Sequence, residues 1–138
     1  MEVRQAAGQP RQRAAGVARR DVPADLRDRV RAEGQAVLAA AGIAHTSTEE
    51  EAAERGDRVG HRPVDGQERT GSSTWQSLAR GVGSTEVDHL NGEIVLLGRL
   101  HGVPTPANAA VAYAVRRAAR ERIPAGGFPP AELAKMIA

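Results

Sequence analysis

The sequence predicts an all-α helical bundle, and two observations support this fold class. Apolar residues recur at the spacing of helical turns in several segments, and no segment alternates apolar and polar residues as a half-buried strand would. Residues that start helices precede these segments, and glycines follow them. The 138 residues are enough for one domain, but aromatic residues make up only 2% and much of the apolar content is Ala. We therefore expect a small core.

Composition excludes several classes of site and partner. There is no Cys, so disulfides, thiol nucleophiles and Cys-ligated metals are excluded, and the four His share no metal-ligand spacing. No apolar run approaches the roughly 20 residues of a membrane span, and the N-terminus lacks the apolar region of a signal peptide. The charge of +2 comes without a nucleic-acid-binding motif. We expect a soluble cytoplasmic protein with no nucleic-acid, membrane or metal partner.

The first predicted helix follows an aperiodic N-terminus. Residues 1–20 hold five Arg and no sustained period, so we expect them to be disordered, with the helical domain spanning residues 21–138. Asp21 is a candidate cap, Pro23 fits the first turn, and Gly42 is a natural stop. The apolar stripe of this helix consists of Leu26, Val30, Val37, Leu38 and Ala41.

Two short helices are predicted next. A polar, acidic stretch predicts a helix over Thr48–Arg55, and residues 57–71 are expected to form an irregular connection. The stretch "SSTWQSLARG" predicts a further helix, capped by Ser72 or Ser73 and ended by Gly81. Its inward-facing residues are expected to be Trp75 and Leu78.

The stretch "STEVDHLNGEIVLLGRLHGVPTP" predicts one long amphipathic helix. Thr85 followed by Asp88 resembles a capping box, and Gly102 is the predicted end. The residues at helical spacing on its apolar face are Val87, Leu90, Ile94 and Leu97. Asn91 and Gly92 fall in the middle, where both are poor helix formers. Either close packing against a neighbour or a ligand-directed side chain would account for this pair.

A last long helix is predicted after the Val-Pro-Thr-Pro break. Thr105 is its candidate cap, Pro106 fits its first position, and it runs to about Arg122. The residues expected near one face are Ala110, Tyr113, Ala114 and Ala118. The C-terminal "PPAELAKMIA" predicts one or two more helical turns.

Two polar residues have both a structural and a functional interpretation. Glu86 lies in the first turn of the predicted long helix, where an acid complements the helix dipole by about 0.3–1 kcal/mol. Ser73 is first of all a helix cap. Position alone does not separate these structural roles from ligand binding.

Three ordered blocks resemble the C-terminal domain of ketopantoate reductases (2-dehydropantoate 2-reductases). The blocks are "SSTWQ" at 72–76, "TEVDHLNG" at 85–92 and "GVPTPAN" at 102–108. They match the family's S-S-x-x-Q-D, T-E-[IV]-D-x-L-N-G and G-[IV]-P-T-P-x-N in the same order. Weaker likeness extends back to about Arg31. The resemblance implies a helical bundle of the kind also found at the C-terminus of 6-phosphogluconate dehydrogenase.

The resemblance also implies a function. Family enzymes reduce a 2-keto acid in pantothenate synthesis, with hydride from NADPH held by an N-terminal Rossmann domain and a proton from a Lys on the first helix of the C-terminal domain. By motif, Ser73 corresponds to the Ser and Glu86 to the Glu that hold the substrate carboxylate and hydroxyl. Asn91 and Asn108 are implied to line the cleft. NADPH is thus expected through family resemblance only.

The chain departs from the family pattern at several points. Ser77 stands where the family has Asp, and one residue more than usual separates Gln76 from Glu86. The Rossmann domain and the catalytic Lys are not found, since Lys135 is the only Lys. We therefore expect an isolated chain to be inactive. Two alternatives are half of a split reductase, with a Rossmann chain as partner, and a non-catalytic interaction or homodimerisation module packing through Val87 to Leu97.

A shifted reading frame would explain the N-terminus. The family's Lys helix reads much like W-K-Y-G-K-L-L-G-N-L-G-N-A. Ordinary GC-rich codons for it, read with one extra leading A, give M-E-V-R-Q-A-A-G-Q-P-R-Q-R, which is residues 1–13. We expect the segment to be out of frame within a larger reductase gene, with the family frame restored before about Arg31.

Overall fold

The computed structural model describes residues 25–56 and 73–138, and in these ranges the chain is helical without a strand. The predicted all-α fold is confirmed. The helices are α1 (Leu26–Ala40), α2 (Thr48–Arg55), α3 (Ser73–Ala79), α4 (Asn91–His101), α5 (Pro106–Glu121) and α6 (Pro130–Ile137), with a 3-10 turn at Glu86–His89 before α4. The predictions for residues 1–20, Asp21, Pro23, the 57–71 connection and Ser72 lie outside the described residues.

Local sequence signals gave several helix ends correctly. The second helix has the predicted bounds, and Ser47 and Glu50 form a reciprocal capping box in which each side chain accepts the other's backbone N–H. Gly42, Gly81 and Gly102 end α1, α3 and α4 with φ of 68°, 68° and 69°. In α1 the bonds from Ile43 N to Leu38 O and from Gly42 N to Ala39 O complete a Schellman motif.

The predicted single helix after Ser84 is broken, which corrects the sequence interpretation. Leu90, with φ −112° and ψ −93°, separates the 3-10 turn from α4, and 55% of its surface is exposed. Thr85 makes no side-chain cap hydrogen bond. The turn is held against α5 instead, because Val87 is buried and Asp88 forms an ion pair with Arg116. This docking redirects the chain at Leu90.

Helix α5 lies at the centre of the bundle and contacts α1, α4 and α6. Its buried face is built from alanines, whose small side chains let the neighbouring helices approach closely. The core cluster consists of Leu26, Ala107, Ala110, Ala114, Leu133 and Ile137, with Val30, Val111 and Phe128 packed against it. Tyr113 is 44% exposed, contrary to prediction. Burial of Ala112 and Ala119 shifts the covered arc of α5 away from Tyr113.

The C-terminal helix α6 is bonded to both α1 and α5. As predicted, "PPAELAKMIA" forms about two turns, and its Leu133 and Ile137 enter the core. Arg117 of α5 pairs with Glu132 of α6, and the Arg29 guanidinium of α1 donates to the carbonyl of Ile137 at 2.6 Å. These contacts attach α6 to α1 and α5.

Candidate functional site

The N-terminus of α5 is capped by a side chain from another helix. The Glu33 carboxylate of α1 accepts the backbone N–H of Ala107 at 2.8 Å through Oε1 and that of Asn108 at 2.9 Å through Oε2. Thr105 occupies the cap position but makes no side-chain cap bond, which corrects the prediction. Its side chain lies instead against Gly98, where an added Cβ would stand 2.8 Å from the Thr105 methyl.

Asn91 and Asn108, both implied to line the cleft, are hydrogen-bonded to each other. Asn108 is 2% exposed; its Nδ2 donates to Glu33 Oε2 at 2.7 Å and to Val30 O at 3.1 Å, and its Oδ1 accepts from Asn91 Nδ2 at 3.0 Å. This network connects α1, α4 and α5. It gives Asn91 a packing role in the described chain, and cleft lining stays a prediction for both residues.

Gly92 also has a packing reason. Asn91 and Gly92 open α4 instead of lying within a longer helix, so their low helix propensity is less costly there. A Cβ at Gly92 would lie 3.3 Å from Arg116 Nη2 and 3.5 Å from the Val87 carbonyl oxygen. The glycine thus leaves room for the arginine that holds the 3-10 turn.

A pocket of about 580 Å³ lies between α3 and the 3-10 turn. Glu86, the first residue of that turn, is one of its lining residues. The described lining residues are Thr74, Gln76, Ser77, Arg80, Val82, Ser84, Thr85, Glu86 and His89. The structure therefore brings the predicted Glu86 together with the helix that carries Ser73.

Ser73 is the first residue of α3, and its side chain lies outside the described part of the structure. The same holds for the Trp75 side chain, while Leu78 is half-buried. Residues four and seven positions apart share a helix face, which places position 73 on the face of Ser77 and Arg80. Both of these line the pocket, so the backbone register is consistent with a site that includes position 73.

The pocket carries ionisable side chains that the sequence interpretation did not single out. Arg80 and His89 accompany Glu86, and the remaining described lining is mostly hydroxyl and amide groups. Such groups can orient a small polar anion by hydrogen bonds and charge. Arg80 and His89 lie only six and three residues from Glu86 in the chain, so their proximity to it is local, but no motif in the single sequence marked either as a lining residue.

Cofactor and metal chemistry find no support in these residues. The described ranges contain no strand followed by a Gly-rich turn, which a dinucleotide pyrophosphate requires, so they do not fit NADPH. No group of three or more potential metal ligands occurs among the residues with described positions. Within residues 25–56 and 73–138, no helix is long and apolar enough to cross a membrane.

Comparison with known proteins identifies the family of this chain. Residues 2–119 match the family described as ketopantoate reductase PanE/ApbA C terminal. The matched range includes α1 to α4, the 3-10 turn and most of α5. Searches of curated proteins and of solved structures found no match. The chain belongs to the ketopantoate reductase C-terminal domain family.

Proposed function

We propose that this chain is the substrate-binding domain of an NADPH-dependent reductase that acts on a 2-keto acid of the 2-dehydropantoate type. The observation that supports this most is the pocket, since it places Glu86 opposite the helix that carries Ser73. A domain with this function needs a separate nucleotide-binding domain, either in the same longer protein or in a partner chain.

The roles proposed for the two residues follow from their chemistry. The Glu86 carboxylate accepts a hydrogen bond from the substrate hydroxyl, and the Ser73 hydroxyl donates one to the substrate carboxylate. Two such contacts fix the position of the ketone, which lowers the entropic part of the barrier. The hydride for the ketone carbon would be supplied by NADPH held by the separate nucleotide-binding domain. The proton for the ketone oxygen comes from outside the described pocket, where the family uses Lys.

The proposal is tested by NMR titration of the ¹⁵N-labelled chain with 2-dehydropantoate. Shifts are expected for residues of α3 and the 3-10 turn, and Glu86→Gln should weaken binding by about tenfold, because a charged acceptor is replaced by a neutral one. Glu93→Gln is the matched control, an exposed acid in the first turn of α4. Shifts that map elsewhere, or equal affinity for both variants, would contradict the proposal.

A helical interaction module is the second candidate, favoured by exposed leucines on α4. Val87 is buried, and Ile94 and Leu97 are half-buried within the chain, so the face first considered packs inward except at the exposed Leu90. Leu96 and Leu100, one turn apart, are 50% and 69% exposed. Sedimentation equilibrium over a concentration series tests this candidate. A stable dimer that Leu100→Glu dissociates, combined with no binding of 2-dehydropantoate, would favour it.

The reading frame of the N-terminus is tested at the DNA level. A shifted frame over residues 1–13 requires a Rossmann-encoding sequence upstream, running in another frame into codons for W-K-x-x-K-L-L. The alternative is the unshifted frame, in which residues 1–13 are translated in the same frame as the rest of the domain. Resequencing the locus with about one domain of upstream DNA decides between them. If the DNA that encodes residues 1–13 does not give the Lys-helix sequence in another frame, the frame-shift hypothesis is wrong.

A further inference from the structure

The charge arrangement of the pocket supports one further inference, which rests on the proposed function. Arg80 follows the last residue of α3 and Glu86 opens the 3-10 turn, so the pocket has a cation on one wall and an anion on the other. We propose that Arg80 is a specificity-determining residue whose guanidinium is the counter-ion of the substrate carboxylate.

A guanidinium offsets the charge of a carboxylate, which the neutral hydroxyl of a serine cannot do. Among the described lining residues Arg80 is the only Arg or Lys, and Glu86 is the only acid. A guanidinium presents paired N–H donors that match the two oxygens of a carboxylate. A monoanion that also carries a hydroxyl therefore matches both walls, with its carboxylate at Arg80 and its hydroxyl at Glu86.

The walls that carry these two charges are held in place by the backbone. After α3, Val82 N donates to Ser77 O at 3.1 Å and Gly81 N to Leu78 O at 3.0 Å, which fixes the turn that bears Arg80. On the other wall, burial of Val87 and the ion pair between Asp88 and Arg116 fix the turn that bears Glu86. The turns that bear the two charges thus have backbone hydrogen bonds or core contacts of their own.

Ser77 explains why the guanidinium can serve a ligand. It lies three residues before Arg80, a separation at which helical side chains are neighbours, and it lines the same pocket. An acid at this position would pair with Arg80 and compete with the substrate carboxylate. With Ser77, Arg80 forms no ion pair within the described residues.

The pocket lining also limits the substrate class. Val82 is the one aliphatic residue in the described lining, and the other uncharged members offer hydroxyl or amide groups. A long apolar side chain would find only one aliphatic side chain to cover. The preferred ligand is accordingly a short, hydroxylated carboxylic acid.

The inference is tested by NMR titration of the full chain with sodium pantoate and with its neutral amide. The wild-type chain should bind pantoate about tenfold more tightly than the amide. Arg80→Gln should lower the pantoate affinity to that of the amide and leave the amide affinity unchanged, while Arg80→Lys should recover part of the difference. Arg99→Gln, an exposed arginine on α4, is the control and should change neither affinity.

Two results would overturn the inference. One is equal affinity of the wild-type chain for pantoate and its amide, which needs no variant to fold. The other is an Arg80→Gln chain that keeps the preference for the carboxylate. If Glu86→Gln weakens pantoate binding while Arg80→Gln does not, the role of Arg80 fails and the proposed function stands. If pantoate shifts no residue of the pocket, both fail.

Discussion

The carboxylate of Glu33 accepts the backbone N–H of Asn108 at 2.9 Å and its side-chain amide at 2.7 Å, although 75 residues separate the two positions. A side chain of α1 thus supplies the helix cap that α5 does not obtain from its own Thr105. Anionic groups at a helix N-terminus satisfy unpaired N–H donors and interact favourably with the dipole. Helix α1 therefore docks on α5 through specific hydrogen bonds as well as through apolar contacts.

Removal of the Glu33 carboxylate should destabilise the fold more than the loss of one polar side chain usually does. Glu33→Ala leaves the N–H groups of Ala107 and Asn108 without their cap, and we expect a loss of about 2–4 kcal/mol in the free energy of unfolding. Asp28→Asn, in the exposed first turn of α1, should cost at most about 1 kcal/mol. Urea unfolding followed by circular dichroism measures both. A double-mutant cycle with Asn108→Ala should show coupling, and additive effects would contradict the shared network.

Replacing Gly98 by Ala should destabilise α4 although Ala is the better helix former. The added Cβ would stand 2.7 Å from the Val103 carbonyl oxygen, a backbone atom that cannot rotate away. We expect a net loss of about 1–3 kcal/mol. Gly34→Ala in α1 is the matched control, because a Cβ there meets nothing within 4 Å. It should gain up to about 1 kcal/mol. Thermal unfolding midpoints that move in the same direction for both variants would refute this account.

Arg122 is an unfavourable residue for the end of α5. It has φ 54°, the one positive φ of a non-glycine residue in the described ranges. Arg122→Gly should raise the free energy of unfolding by about 0.5–1 kcal/mol, because glycine adopts this conformation without steric cost. Arg120→Gly, two residues earlier within the helix, should lower it by about 1 kcal/mol. The prediction fails if thermal unfolding shows that both variants are destabilised.

Helix α2 should lose stability at low pH because the Glu50 carboxylate becomes protonated. Hydrogen bonds from the backbone N–H of Ser47 and then from its side chain lower the pKa of Glu50 below its ordinary value of 4.5. Because the folded pKa is below the unfolded one, this contribution is present above about pH 4.5 and is lost as pH falls through the folded pKa. Helical Cα shifts of α2, followed by NMR from pH 6 downward, measure the loss.

The control for the acid effect is an acid on the same helix outside the capping box. Glu50→Gln should remove the pH-dependent part of α2 stability, while Glu49→Gln should retain it, since Glu49 has no side-chain bond to a described residue. An identical pH profile for the two variants would mean that the capping box does not control the titration of α2.

Local sequence alone determined where most helices begin and end. The bounds of α2, its capping box and the glycine stops at Gly42, Gly81 and Gly102 depend only on residues within a turn or two. Such interactions are short in sequence and form in the same way wherever the segment lies. Three ordered blocks at 72–76, 85–92 and 102–108, which are also local in sequence, indicated the family and selected Glu86 for the site.

Tertiary packing decided where the predicted long helix breaks and which side chain caps α5. Docking of Val87 and Asp88 on α5 broke the predicted long helix at Leu90, and Glu33 displaced Thr105 as the cap of α5. Each of these outcomes depends on a contact between residues far apart in the chain, whose energy no local propensity contains. Arg80 is a different case: only six residues separate it from Glu86, so the chain itself brings the two close, and the path of the backbone after α3 decides that both line one pocket.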